Sequence, residues 1–225
     1  MNVNDITEIP ESKDFLVDMF KKQKELLDKY HLIEHKVLKI DELNIHPDDP
    51  INLVNATVQF KVKGHLARVA EELAESYQVV YNVRNGIDED NKEHQREEAI
   101  DATHFLIESF LVTHTDQKHL DPLEDIEKRY IVYKSVLEGK GEDEKVDFMY
   151  NQSFYHILIS LNLFRNKPWK VSQVLFDEVR FIEHMVRSFE HLMYLLFFLG
   201  LKPADVYNLY FKKSCVNDFR IKSRY

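Results

Sequence analysis

The stretch Glu98-Ala-Ile-Asp101-Ala-Thr-His104-Phe105 places two carboxylates beside a strongly apolar helical run. Glu98 and Asp101 are three residues apart, so on an α-helix they are surface neighbours with Cβ atoms roughly 5–6 Å apart. The residues from Phe105 to Val112 are apolar enough to belong to a core. Carboxylates at the edge of a core are costly unless a positive charge meets them. The stretch therefore indicates either a solvated acidic edge or a site for a hard cation such as Mg²⁺, which prefers oxygen ligands.

The composition favours a helical protein with one sizeable core. The chain has 225 residues, of which 44% are hydrophobic and 31% charged, and it contains only 5 Gly and 6 Pro. Because so few turn-forming residues do not suit an all-β chain, we expect an all-α multi-helix bundle. We treat residues 1–225 as one domain, with a possible sub-division at 139–144, where two glycines interrupt the helical pattern.

The charge and the cysteine content exclude several classes of protein. A formal net charge of −9 lacks the basic footprint of a nucleic-acid-binding protein. Cys215 is the only cysteine, so neither an intrachain disulfide nor a thiolate metal cage can form. The N-terminal residues show no secretory signal pattern, and the most apolar run, from Leu192 to Leu199, is too short to span a bilayer. We therefore expect a cytoplasmic protein without a nucleic-acid or membrane partner.

Apolar periodicity and capping residues predict long helices separated by short loops. The predicted helices run from Ser12 (as the N-cap) to about Tyr30, from about Asn55 to Tyr81, from about Lys92 to Thr113, from Asp121-Pro122 to Gly139, from Lys145 to Phe164, from Val171 to Leu199, and from Pro203 towards the terminus. Trp169, the only tryptophan, lies in a loop between two lysines. Its surroundings suit either a ligand or partner surface or a core anchor.

Two groups of residues carry the candidate chemistry. The first consists of two acidic pairs on two helices, which could hold a divalent metal against a polyphosphate: Glu72 with Glu75, and Glu98 with Asp101. The second lies in the basic tail, where a lysine and an arginine could neutralise phosphate oxygens: Lys213, Asn217, Arg220 and Tyr225. Gln23 falls inside the apolar stripe of the first helix, where it is either a satisfied core residue or a ligand contact.

In their order and spacing, these motifs resemble the all-α dimeric dUTPases, relatives of the MazG-like nucleotide pyrophosphatases. The helix with Gln23 is similar to the family's Q-x-x-L-N, and the run 71–77 resembles its first acidic helix. The stretch 98–105 is similar to E-x-x-D-x-x-H-F, and residues 210–225 resemble the tail Y-x-x-K-N-x-x-N-x-F-R-Q-x-x-G-Y. The resemblance covers most of the chain.

The resemblance implies a homodimeric enzyme that hydrolyses dUTP to dUMP and pyrophosphate. It implies catalytic carboxylates that hold Mg²⁺ and thereby orient and deprotonate a water: Glu72, Glu75, Glu98 and Asp101. It also implies a set of substrate-binding residues: Gln23, Lys213, Asn217, Arg220 and Tyr225. The very apolar segment from Phe181 to Leu201 is more than one small bundle needs to bury, which also favours a dimer.

Departures from the family pattern leave the substrate open. Leu27 stands in place of the family's Asn in Q-x-x-L-N, and Val79-Val80-Tyr81 stand where an aromatic W-K-x-W-K segment is expected. Both departures concern the recognition of the base. The alternative substrate is therefore dCTP or a modified pyrimidine nucleotide.

Further departures concern the catalytic residues. If Ser76-Tyr77 is aligned with the family, Val69 and Glu72 rather than Glu72 and Glu75 fall at the ligand positions. Three positions in the tail also differ from the family: Ser214, Ile221 and Arg224. These departures keep open a non-catalytic alternative, a nucleotide sensor or partner-binding protein on the same scaffold.

Overall fold

The computed structural model describes residues 6, 8–33, 51–89, 91–115 and 117–223, and that part of the chain contains helices and loops but no strand. Its α-helices, in chain order, are α1 (Phe15–Ile33), α2 (Ala56–Arg84), α3 (Lys92–Val112), α4 (Leu123–Tyr133), α5 (Glu142–Leu163), α6 (Glu178–Phe198) and α7 (Pro203–Ser223). Short 3₁₀ turns at Gln117–His119 and Lys134–Leu137 flank α4. The prediction of an all-α multi-helix fold is confirmed.

Helix α3 lies at the centre of the bundle, in contact with α1, α2, α6 and α7. From residue 106 to residue 110 every side chain of α3 is buried. Phe110 packs edge-on against Phe20 of α1 and Phe189 of α6, with ring centroids 6.0 and 6.2 Å apart. Because four helices pack on α3, the core also fixes the position of the carboxylates in its N-terminal half.

Helices α2 and α3 form an antiparallel hairpin. As residue numbers rise along α2, the contacting residue numbers fall along α3: His65 Nδ1 lies 2.5 Å from Glu108 Oε1, and Ser76 Oγ donates to the Gln95 carbonyl oxygen at 2.8 Å. At the turn, Gly86 has a positive φ of 66°, a conformation that glycine adopts without strain. Residues 65–76 of α2 therefore face residues 95–108 of α3, and both segments contain acidic side chains.

Two helices begin with caps that differ from the prediction. Asp14, not Ser12, caps α1: its Oδ1 accepts a hydrogen bond from the Val17 N–H at 3.1 Å. A proline without a capping side chain precedes α4. The predicted cap of that helix, Asp121, instead pairs with Arg129 at 2.9 Å. In both cases the predicted helix exists, but its capping residue lies one or two residues after the predicted one.

The largest difference from the prediction is at α6, which begins at Glu178 rather than at Val171. Asn166 holds the preceding segment in a non-helical loop, because its side-chain oxygen accepts from the Val174 N–H at 2.6 Å and its amide nitrogen donates to the Val174 carbonyl at 3.0 Å. Asp177 then caps the helix. Asn166 lies outside the apolar pattern of the segment, so periodicity could not show this contact.

Helices α5 and α6 pack against each other, and α5 also packs against α2, so both sides of the 139–144 segment contribute to the same core. The apolar segment Phe181–Leu201 is covered within the chain: Phe181, Met185 and Phe189 are fully buried. This segment therefore does not by itself require a partner chain, and its apolar content does not indicate a dimer. None of the described helices is long and apolar enough to cross a membrane.

Candidate active site

Three carboxylates from two helices converge on one point. Glu72 of α2 and Glu98 and Asp101 of α3 each present a carboxylate oxygen, and these oxygens all lie within 4.8 Å of one another. All three side chains are partly buried. We call this group the carboxylate cluster. Three oxygens at this spacing suit a hard divalent cation such as Mg²⁺.

The members of the carboxylate cluster disfavour one another's charge. Burial, together with the charges of Asp101, Glu75 and Glu98, raises the pKa of Glu72 to about 8. Burial also raises the pKa of Asp101 to about 6, although Lys213 opposes this shift. At neutral pH the Glu72 carboxyl is therefore mostly protonated without a cation, and a cation bound there would displace the proton.

Glu75, the remaining predicted ligand, is exposed and lies one turn after Glu72 on α2. In the part of the chain that the structure describes, Glu75 is not a member of the carboxylate cluster. It lines a cavity of about 630 Å³ near the turn of the hairpin, as does His94. His94 Nδ1 lies 3.1 Å from Glu98 Oε1, so this cavity adjoins the cluster. Val69, the ligand position in the other sequence register, is fully buried and offers no donor atom. Glu72 belongs to the cluster in either register.

Lys213 of α7 supplies positive charge to the carboxylate cluster, with its Nζ 2.6 Å from Asp101 Oδ2. One lysine does not balance three carboxylates. Elsewhere in the described chain, the buried carboxylate of Glu190 is held by two arginines, with Arg129 Nε at 2.8 Å and Arg187 Nη1 at 2.9 Å. The carboxylate cluster, in contrast, has one lysine close to it and could hold a metal ion.

A polar layer lies one turn beyond the carboxylate cluster. Gln23 of α1 is buried, and its Oε1 accepts from Tyr210 Oη at 2.9 Å and lies 2.8 Å from His104 Nδ1. The His104 and Tyr210 rings stack with centroids 3.8 Å apart. Because an amide oxygen only accepts, His104 Nδ1 carries the hydrogen and Nε2 carries a lone pair. That Nε2 atom is buried and finds no hydrogen-bond partner among the described residues.

The neutral state of His104 follows from its surroundings. Burial, assisted by the charge of Lys213, lowers the pKa of His104 to about 3. The ring therefore stays neutral at physiological pH, with Nε2 as an unpaired acceptor. A buried acceptor without a partner is uncommon in folded proteins and is a candidate contact for a ligand that donates a hydrogen bond.

Two of the predicted tail residues follow Lys213 on α7. Asn217 is half-buried one turn later, and Arg220 is exposed on the following turn. Their spacing places them with Lys213 along one side of the helix. Tyr225 lies outside the described residues. The structure thus brings Lys213 to the carboxylate cluster and extends the polar stripe away from it.

Two residues near the site were not predicted from the sequence. Burial raises the pKa of Tyr30, the nearby charges of Glu108 and Asp101 raise it further, and that of Arg220 opposes them. Tyr30 follows Gln23 by seven residues, so its position on the same side of α1 was a usable signal. Glu97 Oε2 lies 3.8 Å from Lys213 Nζ. Nothing in the sequence pointed to Glu97, because only the packing of α7 on α3 creates this contact.

Comparison with known proteins supports the resemblance found in the sequence. A protein-family model described as dUTPase matches residues 15–225. This span includes every described helix and every predicted site residue. No curated protein matches the chain, and no solved structure matches it.

Proposed function

The chain belongs to the all-α dUTPase family, and from that premise we propose that it hydrolyses dUTP to dUMP and pyrophosphate with the help of Mg²⁺. Family membership makes it a nucleoside triphosphate pyrophosphohydrolase, which disfavours the non-catalytic alternative. The observation that carries the finer proposal is the carboxylate cluster of Glu72, Glu98 and Asp101, whose charge one lysine does not balance.

The donor set of the carboxylate cluster fits Mg²⁺, which is usually held by a few carboxylates together with substrate phosphates. Glu72, Glu98 and Asp101 would hold the ion, and exposed Glu75 would bind at the edge, directly or through water. When bound, Mg²⁺ supplies activation of a water and neutralisation of phosphate charge. Lys213 keeps Asp101 oriented and can turn towards a phosphate oxygen, since its Nζ lies at the edge of the cluster.

The α7 stripe would bind the part of the triphosphate that the metal does not reach. Lys213, Asn217 and Arg220 offer an ammonium, an amide and a guanidinium along one side of the helix, and guanidinium pairs with phosphate in a forked geometry. Tyr225 would close over the nucleotide. The exposure of Arg220 supports this role, because its charge is available to a ligand.

Gln23 and His104 would recognise the base. The lone pair on His104 Nε2 can accept a hydrogen bond from the N3–H of uracil, whereas N3 of cytosine carries no hydrogen. Sites built on such a hydrogen bond reject analogues that lack the donor. This favours dUTP over dCTP as the substrate. Tyr210 covers the ring face of His104, so the base would approach its edge.

A panel of nucleotides tests the substrate assignment. We expect pyrophosphate release from dUTP in the presence of Mg²⁺, weaker release from dCTP, and none with EDTA. In a His104→Phe variant the preference for dUTP over dCTP should shrink, because the acceptor atom is lost while the ring remains. Preference for dCTP in the wild type would overturn the assignment of the base. Activity that EDTA does not diminish would overturn the role of the metal.

Substitution of the carboxylates tests the catalytic site. We expect Glu98→Gln and Asp101→Asn to abolish hydrolysis and to leave the fold intact or more stable, because neighbouring carboxylates repel each other without metal. Glu71→Gln removes one charge from an exposed residue beside Glu72 and serves as the matched control. Full activity of either cluster variant would contradict the proposal.

We further propose that the enzyme is a homodimer, as the family resemblance implies. Large apolar side chains remain exposed on the α4 segment, where Ile131 is 67% exposed, and on the loop before α6, where Leu175 is 90% exposed. Large exposed apolar patches commonly mark interfaces. Sedimentation of Ile131→Asp and Leu175→Asp variants would show which segment is used. A monomeric wild type at micromolar concentration would refute the dimer.

A further inference from the structure

Two histidine rings meet between α5 and α6. His156 of α5 and His184 of α6 place their Nδ1 atoms 3.1 Å apart, and their ring centroids lie 5.3 Å apart. Both residues are partly exposed, so this histidine pair lies at the surface. Only the packing of α5 on α6 brings the two rings together. Neither helix supplies a residue to the carboxylate cluster, and the proposed hydrolysis makes no use of the histidine pair.

The ring of His156 is held in one orientation by its neighbours. It stacks on the ring of His191, with an interplanar angle of 19° and centroids 4.9 Å apart. The ring of Tyr155 packs edge-on against His156, with centroids 5.0 Å apart. His191 is itself buried and packs edge-on against Tyr133, with centroids 5.5 Å apart. A ring that is already fixed by packing loses little side-chain entropy when it binds a ligand.

Both rings of the histidine pair are neutral at physiological pH. Burial, together with the charges of His191 and His184, lowers the pKa of His156 to about 4. Burial, together with the charge of Arg180, lowers the pKa of His184. A neutral imidazole carries a hydrogen on one nitrogen and a lone pair on the other. When both rings carry their hydrogen on Nε2, the two Nδ1 lone pairs are available to a metal ion, which binds only deprotonated nitrogen.

The separation of the two Nδ1 atoms matches that of two ligands of one metal ion. Zn²⁺ binds histidine nitrogen at about 2.0–2.1 Å, so two such nitrogens lie about 2.9 Å apart when they form a right angle at the metal and about 3.4 Å apart at the tetrahedral angle. The observed 3.1 Å falls between these two values. In the part of the chain that the structure describes, no third histidine, cysteine or carboxylate atom completes this group. Water would therefore fill the remaining coordination positions.

We propose that His156 and His184 form a second metal site, which binds Zn²⁺ or a similar borderline divalent cation and links α5 to α6. Imidazole nitrogen suits Zn²⁺, Ni²⁺ and Cu²⁺, whereas Mg²⁺ prefers oxygen ligands. The histidine pair and the carboxylate cluster therefore select different metals. Because the two ligands come from two helices, the bound cation stabilises the folded chain relative to the unfolded one.

Titration with Zn²⁺ in the presence of excess Mg²⁺ tests the proposal, because Mg²⁺ competes for the carboxylate cluster and not for imidazole. We would titrate the full chain, without a purification tag, and follow Zn²⁺ binding by calorimetry. We expect saturable binding. His156→Gln and His184→Gln should each weaken Zn²⁺ binding by about tenfold or more, because each removes one of the two protein ligands. His119→Gln, which removes an exposed histidine outside both helices, should bind Zn²⁺ as the wild type does.

Two further measurements identify the ligands and show that the variants fold. Electron paramagnetic resonance of the Cu²⁺-loaded wild type should show hyperfine coupling to ring nitrogen, and His156→Gln should lose it. Zn²⁺ should raise the Tm of the wild type and leave that of either pair variant unchanged.

The proposal is overturned if Zn²⁺ does not bind in excess Mg²⁺, which is the result that an N–H···N hydrogen bond without metal affinity would give. It is also overturned if His119→Gln weakens binding as much as the pair variants do, or if Glu98→Gln abolishes it. Hydrolysis of dUTP with Mg²⁺ is measured separately and should be the same in both pair variants, so the failure of either proposal is visible on its own.

Discussion

The raised pKa of Glu72 predicts that Mg²⁺ binding releases protons in a pH-dependent way. A carboxyl with a pKa of about 8 is about 90% protonated at pH 7, and Asp101, with a pKa of about 6, is about 10% protonated. Because a metal ligand must be deprotonated, binding at pH 7 should release about one proton in total. Release should rise to about 1.5 protons at pH 6 and vanish near pH 9.5.

Calorimetric titration with Mg²⁺ in two buffers of different ionisation enthalpy measures the number of protons released. In Glu72→Gln the release at pH 7 should fall to about 0.1 proton, which is the share of Asp101. Glu71→Gln, which changes an exposed neighbour by the same charge, should release as much as the wild type. Less than about 0.3 proton from the wild type at pH 7, or equal release from Glu72→Gln, would refute a protonated carboxylate cluster.

The raised pKa of Glu72 also determines whether the stability of the protein rises or falls with pH. The pKa of Glu72 is raised in the folded chain from its ordinary value of 4.5 to about 8, so the folded state binds more protons than the unfolded state between these values. The stability of the metal-free protein should therefore fall as pH rises from about 4.5 to about 8, and saturating Mg²⁺ should reduce this loss. Urea unfolding across this range, with Glu72→Gln as the comparison, measures the effect. A metal-free wild type whose stability rises over that range would contradict the cause assigned to the shift.

Three further substitutions test the tail, the polar layer and the core. Arg220→Ala should lower kcat/KM by more than about tenfold, because the guanidinium meets charge that develops in the reaction. This loss of kcat/KM should exceed the loss caused by removing Tyr225. An Arg220→Ala enzyme within about threefold of wild type would mean that α7 does not bind the phosphates. Tyr210→Phe should destabilise the fold by about 1–2 kcal/mol in urea unfolding, because Gln23 Oε1 loses a donor; an unchanged midpoint would show that the hydroxyl contributes nothing. Phe110→Ala should lower the free energy of unfolding by about 3–5 kcal/mol, because the Phe110 ring packs between α3, α1 and α6. A loss under about 1 kcal/mol would show that this ring is not central to the core.

The fold class and the family could be predicted from local features of the sequence. The scarcity of Gly and Pro and the apolar periodicity predicted an all-α bundle, and each helix exists because apolar spacing is a local property. The order of the motifs predicted the dUTPase family, which the family match confirms. The spacing of Glu98 and Asp101 already placed them on one side of α3. Such features need no knowledge of which helices meet.

Which residues of different helices come together could not be predicted from the sequence. The antiparallel register of α2 and α3 brings Glu72 to the carboxylate cluster and leaves Glu75 at its edge, and no local pattern encodes that register. The packing of α7 on α3 places Lys213 against Asp101 across more than a hundred residues of chain. Contacts between distant segments depend on how the whole core packs, so a pattern within one helix cannot show them.

The same reason explains the start of α6. Periodicity extended α6 back to Val171, but the side chain of Asn166, fixed by its contacts with α2, holds that segment in a loop. Local propensity is a weak preference, and a few buried hydrogen bonds between distant segments are enough to override it.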